Sequence, residues 1–374
     1  MSAVYFDHNA SSPLNGAARK AMLPWLDRPA NASSRHGYGR AARAAVDYAR
    51  EQVAASVGAH PTQVIFTSGG TEADNLAIQG ICANLPVSQI VVSAIEHPAV
   101  MKPSVAMQKR GWKLAKIGVD MQGRVAVDGL QDLLCQPAGL VSVMLANNET
   151  GVLQDLPAMA AIARKHGAVM HTDAVQALGK LRLDFNALGV HAMSLSAHKI
   201  GGPQGMGALV LDKRVDLQPL LYGGGQEKGL RSGSENVAAI VGFGAACAQL
   251  PLPESAALRN KLETGLQALG AVIFGGQAER LGNTSFFALD GVDGETLVMA
   301  LDRAGYAVAS GSACSSDSSD PSPVLMAMGV RPELAQGAVR VSLGPENTVQ
   351  QVDGFLQALR DQLSRMQKMA AVAV

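Results

Sequence analysis

The run Ser194-Leu195-Ser196-Ala197-His198-Lys199-Ile200-Gly201-Gly202-Pro203 places a lysine where an apolar stretch ends and glycines begin. A solvated lysine has a pKa of about 10.4 and is a poor nucleophile, but a lysine in a semi-enclosed site can lose its proton and form an imine. Ser196 and His198 can donate hydrogen bonds to an anion beside it. The alternative is a solvated lysine at the end of a strand, which is the common situation for this residue type.

A second segment has the composition of an anion cradle. Residues 63–67 form an apolar run that predicts a short buried strand, and Ser68-Gly69-Gly70-Thr71 then leads into a helix predicted over 72–83. Glycine lets the backbone approach a ligand, the free N–H groups at a helix start can hold a phosphate, and Thr71 can add its hydroxyl. An ordinary turn with a helix cap has the same pattern.

A third segment, His171-Thr172-Asp173-Ala174-Val175-Gln176, brings a carboxylate to the end of a predicted strand. Asp173 can cap local backbone, or it can pair with a protonated ring nitrogen. A lysine for an aldehyde, an anion site for a phosphate and a carboxylate for a pyridinium nitrogen are the three groups that pyridoxal phosphate requires. The three segments together therefore indicate a pyridoxal-phosphate site.

Length and composition allow a two-domain enzyme. The chain has 374 residues, of which 48% are hydrophobic, and it carries 31 basic and 31 acidic side chains. Balanced charge gives no general attraction to nucleic acid or to anionic membranes, so neither is expected as a partner. With no signal peptide pattern and no apolar run of about 18 residues, the chain is expected to be cytoplasmic.

The four cysteines are Cys82, Cys135, Cys247 and Cys314. Their wide spacing matches neither a paired metal-ligand motif nor a small disulfide scaffold, so no metal site is expected. The first three lie in helical patterns and are predicted to be packing residues.

Strands and helices alternate through the first two thirds of the chain. Strands are predicted at 63–67, 89–93, 113–117, 141–146, 168–172, 191–195 and 207–211, and later helices at 235–249 and 254–269. This order indicates an α/β fold with a mostly parallel sheet covered on both faces and ligands at the carboxyl ends of its strands. A boundary near Pro253 would give a large domain of residues 14–253 and a smaller one of residues 1–13 and 254–374.

The abundant glycines raise the alternative of a dinucleotide site, but their setting is wrong. Residues 201–207 precede a predicted strand, whereas a dinucleotide loop follows a strand and opens a helix.

Six segments carry a resemblance to a known family. They are Thr67-Ser68-Gly69-Gly70-Thr71-Glu72-Ala73-Asp74-Asn75, Glu96-His97, Asn147-Asn148-Glu149-Thr150-Gly151, His171-Thr172-Asp173-Ala174-Val175-Gln176, Ser196-Ala197-His198-Lys199 and Arg231-Ser232-Gly233-Ser234. Their order and spacing resemble the cysteine desulfurases of the NifS and IscS type, in the class V aminotransferase family. The resemblance implies a pyridoxal-phosphate enzyme of fold type I, with a seven-stranded sheet in its large domain and a smaller α+β domain.

The same resemblance implies an activity. Such an enzyme is a homodimer that takes sulfur from L-cysteine, leaves L-alanine and passes the sulfur as a persulfide to an acceptor protein. The acceptor could serve iron–sulfur cluster assembly, a thio-cofactor or tRNA thiolation, and the sequence leaves this choice open. One alternative is that the chain is a selenocysteine lyase or another pyridoxal-phosphate aminotransferase. Another is that it is catalytically inactive and binds sulfur-carrier proteins.

The resemblance implies cofactor-binding roles for the residues at matching positions of this sequence. Lys199 would form the imine with the aldehyde, Asp173 would pair with the pyridinium nitrogen, and Gln176 would bond the phenolic oxygen. The phosphate would be held by Gly70, Thr71, Ser196 and His198, with Ser234 reaching in from the other subunit, where the family usually has threonine. His97 would stack on the ring as a catalytic residue, although a hydrogen-bonded turn histidine is the alternative.

Asn148 and Arg340 would bind the substrate carboxylate. Arg340 has independent support, because a charge within the apolar strand predicted at 338–343 is unfavourable unless it is paired.

Cys314 lies in the polar run Ser310-Gly311-Ser312-Ala313-Cys314-Ser315-Ser316. Removing sulfur requires a thiolate that attacks the substrate sulfur and then carries a persulfide, and a glycine- and serine-rich loop could present it elsewhere. The resemblance makes Cys314 this nucleophile, and the alternative is an incidental loop cysteine.

Overall fold

The structure is a computed structural model that describes residues 3–311 and 320–372. The strands in these ranges, numbered β1 to β13 in chain order, are Val4–Tyr5, Val64–Thr67, Gln89–Ser93, Lys113–Ile117, Ala138–Ser142, Val169–Asp173, Ala192–Ser196, Gly207–Leu211, Val272–Ile273, Thr284–Ala288, Tyr306–Ala307, Ala309–Ser310 and Val339–Ser342.

The helices in the same ranges, numbered α1 to α13, are Gly16–Leu26, Gly37–Ser56, Gly70–Asn75, Pro98–Gln108, Val127–Leu133, Leu156–Lys165, Phe185–Leu188, Val237–Cys247, Ala256–Ala268, Gly294–Arg303, Pro323–Ala327, Pro332–Gln336 and Val349–Val372. Single turns of 3-10 helix occur at Pro61–Gln63, Ala197–Ile200 and Gln226–Gly229, and a π-helical segment, Leu76–Gly80, continues α3. None of the described helices is both long and apolar enough to cross a lipid bilayer.

Seven strands form the large sheet in the order β2-β8-β7-β6-β5-β3-β4. Only β8 runs antiparallel to its neighbours, β2 and β7, and the other adjacent pairs are parallel. The mostly parallel, seven-stranded α/β sheet predicted from the sequence is confirmed.

Both faces of the large sheet are buried. Successive residues of a strand point to opposite faces, so Val64 and Phe66 pack in one hydrophobic core while Ile65 packs in the other. In the same way, Val91 packs in the first core and Ile90 in the second. This explains why the strands read as unbroken apolar runs and not as alternating patterns.

A second sheet has the antiparallel order β12-β13-β10-β9, and β1 pairs with β11 in a separate parallel ribbon. A third hydrophobic core contains Phe6 from the beginning of the chain together with residues from the last third, including Phe287, Val341 and Phe355. The domain boundary near Pro253 stays a prediction.

Several predicted elements have different bounds in the structure, and the helices predicted at 235–249 and 254–269 are Val237–Cys247 and Ala256–Ala268. The strand predicted at 141–146 is Ala138–Ser142, because its first residues, Ala138 and Gly139, have low strand propensity and were not recognised. Gly139 is needed there, since a Cβ would lie 2.9 Å from the Trp112 ring. The helix predicted over 72–83 begins two residues earlier, at Gly70.

Candidate active site

The predicted site residues converge at the carboxyl ends of the parallel strands. A cavity of about 240 Å³ lies there. Nine of the predicted residues line it: Gly70, Thr71, His97, Asn148, Asp173, Gln176, Ser196, His198 and Lys199. The sheet order therefore brings together segments that are up to about 130 positions apart in the chain.

Lys199 lies in the 3-10 turn that directly follows β7. The turn ends at Gly201, whose φ of 75° is a left-handed conformation that glycine adopts without strain. The ε-amino group of Lys199 donates to the backbone oxygens of Asn9, at 2.5 Å, and Ala10, at 2.8 Å. The N-terminal segment thus holds this amine at the cavity.

The cradle begins at Gly70, the first residue of α3. A Cβ at this position would lie 2.7 Å from Cγ2 of Val175, which is closer than real Cβ contacts. Val175 follows Asp173 in the chain, so only glycine allows the cradle and the Asp173 segment to line one cavity. Thr71 follows at the exposed helix start.

Ser196 and His198 occupy the cradle side of the cavity. Oγ of Ser196 is buried and has no hydrogen-bond partner among the described residues. Nδ1 of His198 lies 3.2 Å from Oγ of Ser11, and burial, with a further contribution from Lys199, lowers the pKa of His198 to about 4. A second cavity, of about 370 Å³, shares both residues as well as Gly70 and Thr71. An unbonded hydroxyl beside helix N–H groups can receive an anion.

Asp173 ends β6 and is buried. Its Oδ1 accepts a hydrogen bond from the backbone N–H of Val175 at 2.9 Å. Burial raises the pKa of Asp173, and the opposing effects of His97, that bond and Lys199 favour the carboxylate. A buried carboxylate beside the lysine can pair with a protonated ring nitrogen, as the sequence predicts.

His97 caps α4. Its Nδ1 accepts from the N–H of Ala99 at 3.1 Å, as the turn-histidine alternative expects, and its ring lines the cavity, as the cofactor role requires. Burial lowers the pKa of His97, Asp173 raises it and Lys199 lowers it. Because Nδ1 accepts, the neutral ring carries its proton on Nε2.

Gln176 is held by two residues that the sequence reasoning missed. Its Nε2 donates to the backbone oxygen of Asn9 at 2.9 Å, and its Oε1 accepts from Nζ of Lys180 at 2.8 Å. Lys180 also donates to Oδ1 of Asn9 at 2.8 Å. Asn9 is more than 160 positions from Gln176, and no local pattern reveals such a contact.

Arg340 lies in β13 and is buried, as predicted. Its Nη2 donates to Oδ1 of Asp7 at 2.8 Å and its Nη1 to the backbone oxygen of Asn148 at 3.0 Å. Its Nε is buried and has no partner in the described ranges. Asn148 lines the cavity, so the guanidinium sits directly behind that wall with its Nε–H donor unused.

The sequence did not indicate that Asp74 is a buried residue of the cavity wall. Asp74, one turn after Thr71, lines the cavity, and its Oδ1 lies 3.6 Å from Nε2 of His171. Burial lowers the pKa of His171 to about 3, so the ring is neutral and this contact is not an ion pair. Burial and the nearby Asp173 raise the pKa of Asp74 well above its usual value. The motif containing Asp74 was recognised, but its burial was not visible in the sequence.

Of the predicted site residues that the structure describes, Arg340 and Ser234 do not line the cavity. Ser234 is exposed and does not line it, and its role in a partner subunit stays a prediction. Cys314 lies outside the described residues.

The prediction that three cysteines pack inside is correct for Cys82 and Cys247, which are buried. It is wrong for Cys135, which is exposed because it follows the end of α5.

Comparisons with known proteins agree with this arrangement. A model of the family described as aminotransferase class-V matches residues 4–355. A cysteine desulfurase of Gluconacetobacter diazotrophicus is 40% identical over 382 residues, covering 99% of this chain and 96% of that protein. One of Sinorhizobium fredii is 43% identical over 372 residues, covering 96% of each. Among solved structures, a NifS-like protein is 34% identical with a TM-score of 0.90, over 97% of this chain and 99% of that one.

Proposed function

The chain belongs to the class-V aminotransferase family and is a cysteine desulfurase, and from this premise we propose that its cavity holds pyridoxal phosphate and L-cysteine. The family is pyridoxal-phosphate-dependent, as the resemblance of the sequence implies. The observation that carries the proposal is the meeting of Lys199, Asp173 and the unbonded Ser196 hydroxyl in one cavity.

The cavity residues fit this cofactor in chemistry. When bound, pyridoxal phosphate supplies an aldehyde and an electron-withdrawing ring that weakens bonds next to an attached amino group. Ser196, with Gly70 and Thr71, would hold the phosphate, since its buried hydroxyl lacks a partner that an anion would provide. His198 completes this side.

The other residues orient the ring and its reacting end. Asp173 would keep a proton on the ring nitrogen, and Gln176 would donate to the phenolic oxygen. His97 would lie against the ring and move protons near it, and Lys199 would provide the amine that binds the aldehyde and can later accept a proton.

Arg340 and Asn148 would bind the substrate carboxylate. The unused Nε of Arg340 supports this role, because a buried guanidinium donor without an acceptor is unfavourable. Asp7 already occupies Nη2, so the substrate would share the guanidinium with that carboxylate.

Cys314 would take the sulfur. Its thiolate would attack the sulfur of L-cysteine, the carbon–sulfur bond would break with its electrons passing to the carbon, and a proton would complete L-alanine. The sulfur would remain on Cys314 as a persulfide until an acceptor protein removes it. We further propose a cytoplasmic homodimer in which Ser234 completes the phosphate site of its partner, with the acceptor left open.

The test measures L-alanine and sulfide from L-cysteine with a thiol reductant, together with the visible spectrum of the purified protein. Cys314→Ala should lose turnover and retain the absorption of the bound cofactor. Cys135→Ala, which removes an exposed thiol away from the cavity, should behave as wild type.

Alanine formation by Cys314→Ala at the wild-type rate would exclude the persulfide role. Wild-type protein that develops no visible absorption with pyridoxal phosphate would exclude the cofactor assignment itself.

A further inference from the structure

Lys180 is the second lysine of the site, and none of the roles above uses it. It follows Gly179, whose φ of 79° and close contacts with Leu250 and Ile200 leave no room for a side chain. This tight turn directs Lys180 back toward the segment that carries Gln176. Its ammonium also borders a separate cavity of about 250 Å³, which Lys199 shares.

The charges that act on Lys180 are mostly positive. Burial lowers its pKa well below the usual value, and the neighbouring Lys199 and Arg340 lower it further. His8 also lies close enough for the charge of Lys180 to lower the pKa of that imidazole, and burial keeps the ring neutral, with a pKa of about 4. The two oxygens that receive hydrogen bonds from Lys180, on Gln176 and Asn9, are both neutral amide oxygens.

These contacts fix the orientation of the Gln176 amide. An amine or ammonium nitrogen donates its hydrogens, so the group of Gln176 that faces Lys180 must be its oxygen. The amide nitrogen then faces the opposite way, and one of its N–H groups is bound to the backbone oxygen of Asn9 at 2.9 Å. The second N–H is left for a group inside the cavity that Gln176 lines.

We propose that Lys180 is a positioning residue, which holds Gln176 as a hydrogen-bond donor toward the phenolic oxygen of the cofactor. The inference rests on the proposed function, since it concerns the same cofactor. A phenolate oxygen gains from such a donor, because a hydrogen bond to the charged form stabilises it and favours deprotonation.

The experiment compares Lys180→Met with Lys180→Arg in two measurements. The first is the pH titration of the visible absorption of the bound cofactor, in resting holoenzyme. Lys180→Met should raise its apparent pKa by about one unit, because Gln176 is no longer held as a donor to the deprotonated phenolic oxygen. The second is the Kd of the cofactor-free protein for pyridoxal phosphate, which should rise roughly tenfold in Lys180→Met. Lys180→Arg, which keeps N–H donors at this position, should largely restore both values.

Lys165→Met is the matched control, since Lys165 is exposed at the end of α6, and its titration should coincide with that of wild type. If Lys180→Met does not fold, Lys180→Leu, which also removes the donor to Gln176, should show the same rise in apparent pKa. Superimposable titrations and equal Kd values for wild type and the folded variant would overturn the inference. Absence of cofactor absorption in wild type would instead refute the proposed function.

Discussion

Ser196 is one of the described residues at which the folded chain leaves a hydrogen bond unmade. Its Oγ is buried at the carboxyl end of β7 without a partner in the described ranges. A buried hydroxyl of this kind destabilises the folded state by about 1–3 kcal/mol, and a ligand that accepts its hydrogen recovers that free energy. A substitution of Ser196 is therefore expected to change the affinity for the cofactor without lowering the stability of the cofactor-free protein.

Ser196→Ala should not lower the Tm of the cofactor-free protein, because no bond is lost, while the Kd for pyridoxal phosphate should rise roughly tenfold. Ser194→Ala is the control two residues earlier in the same strand. Its hydroxyl lies 3.0 Å from Nε2 of His171, so its removal leaves a buried ring nitrogen unpaired and should lower the Tm. Thermal unfolding and equilibrium titration measure the two effects, and an equal loss of Tm in both variants would contradict the assignment.

The residues that sequence reasoning identified are those with local patterns. Lys199 and Asp173 stand at the ends of apolar runs, and Gly70 stands in a glycine pair before a helix, so each pattern predicted its own position. Lys180 gave no such signal, because a lysine after a glycine is commonly a solvated turn residue. Its importance comes from Asn9, which reaches it only in the folded chain.

At the scale of elements, the predicted bounds of β3, β4 and β8 agree with the structure. The run that forms β3 was predicted with the same bounds as the structure has, because five consecutive residues are buried there. The beginning of β5 was missed because Ala138 and Gly139 are small, and the start of α3 was missed because its first residue is a cradle glycine. In both cases a close packing contact, and not intrinsic propensity, decides the conformation.

A buried hydrogen bond joins two elements next to the site. The carboxylate of Glu149, in the turn after β5, accepts from the hydroxyl of Ser322, which also caps α11 by accepting from the N–H of Leu325 at 3.2 Å. Burial raises the pKa of Glu149 to about 7, although Ser322 and Arg340 favour the charged form. The folded protein therefore holds a proton on Glu149 in a pH range where the unfolded chain has lost it.

This pKa gives a pH-dependent prediction. As the pH rises from about 4.5 to 7, the unfolded chain loses the Glu149 proton that the folded chain keeps. The free energy of unfolding of wild type therefore falls by up to about 1.4 kcal/mol per pH unit. Glu149→Gln removes the titration and can still accept from Ser322. The Tm of Glu149→Gln minus the Tm of wild type should therefore increase from pH 5 to 7 and stay constant above pH 7. Exposed Glu51→Gln is the matched control for the same change away from this contact. A Tm difference between Glu149→Gln and wild type that does not change with pH would refute the prediction.

At the scale of the molecule, Asn9 connects the two sheets at the site. Its Nδ2 donates to Oγ1 of Thr284, in β10, at 2.9 Å and to the backbone oxygen of Asn148 at 3.2 Å. Its Oδ1 accepts from Lys180, and its backbone oxygen accepts from Lys199. The N-terminal segment therefore lies between two lysines in turns next to the large sheet, Lys180 and Lys199, and the second sheet, which carries Arg340.

Ser234 is exposed and does not line the cavity of its own chain, which leads to a prediction about subunit exchange. Ser234→Asp should abolish activity by repelling the phosphate of the cofactor, and Lys199→Ala should abolish it by removing the amine. In a mixed dimer, the Ser234→Asp chain supplies an intact Lys199 and the Lys199→Ala chain supplies an intact Ser234. These two residues complete one site, so one site of the mixed dimer is intact. Co-expression should recover roughly a quarter of wild-type activity, because random pairing makes half of the dimers mixed and each has one intact site.

The matched control for this experiment pairs Lys199→Ala with Asp173→Asn. Both residues line the same cavity within one chain, so every site in a mixed dimer carries one defect and no activity should return. Differently tagged chains allow the mixed dimer to be purified and its cofactor content and L-alanine production measured. Recovery in the first pair and not in the second requires a site built from two chains, because only then can one chain supply the serine that the other lacks. Failure of the Ser234→Asp pair in purified mixed dimers would place the phosphate site entirely within one subunit.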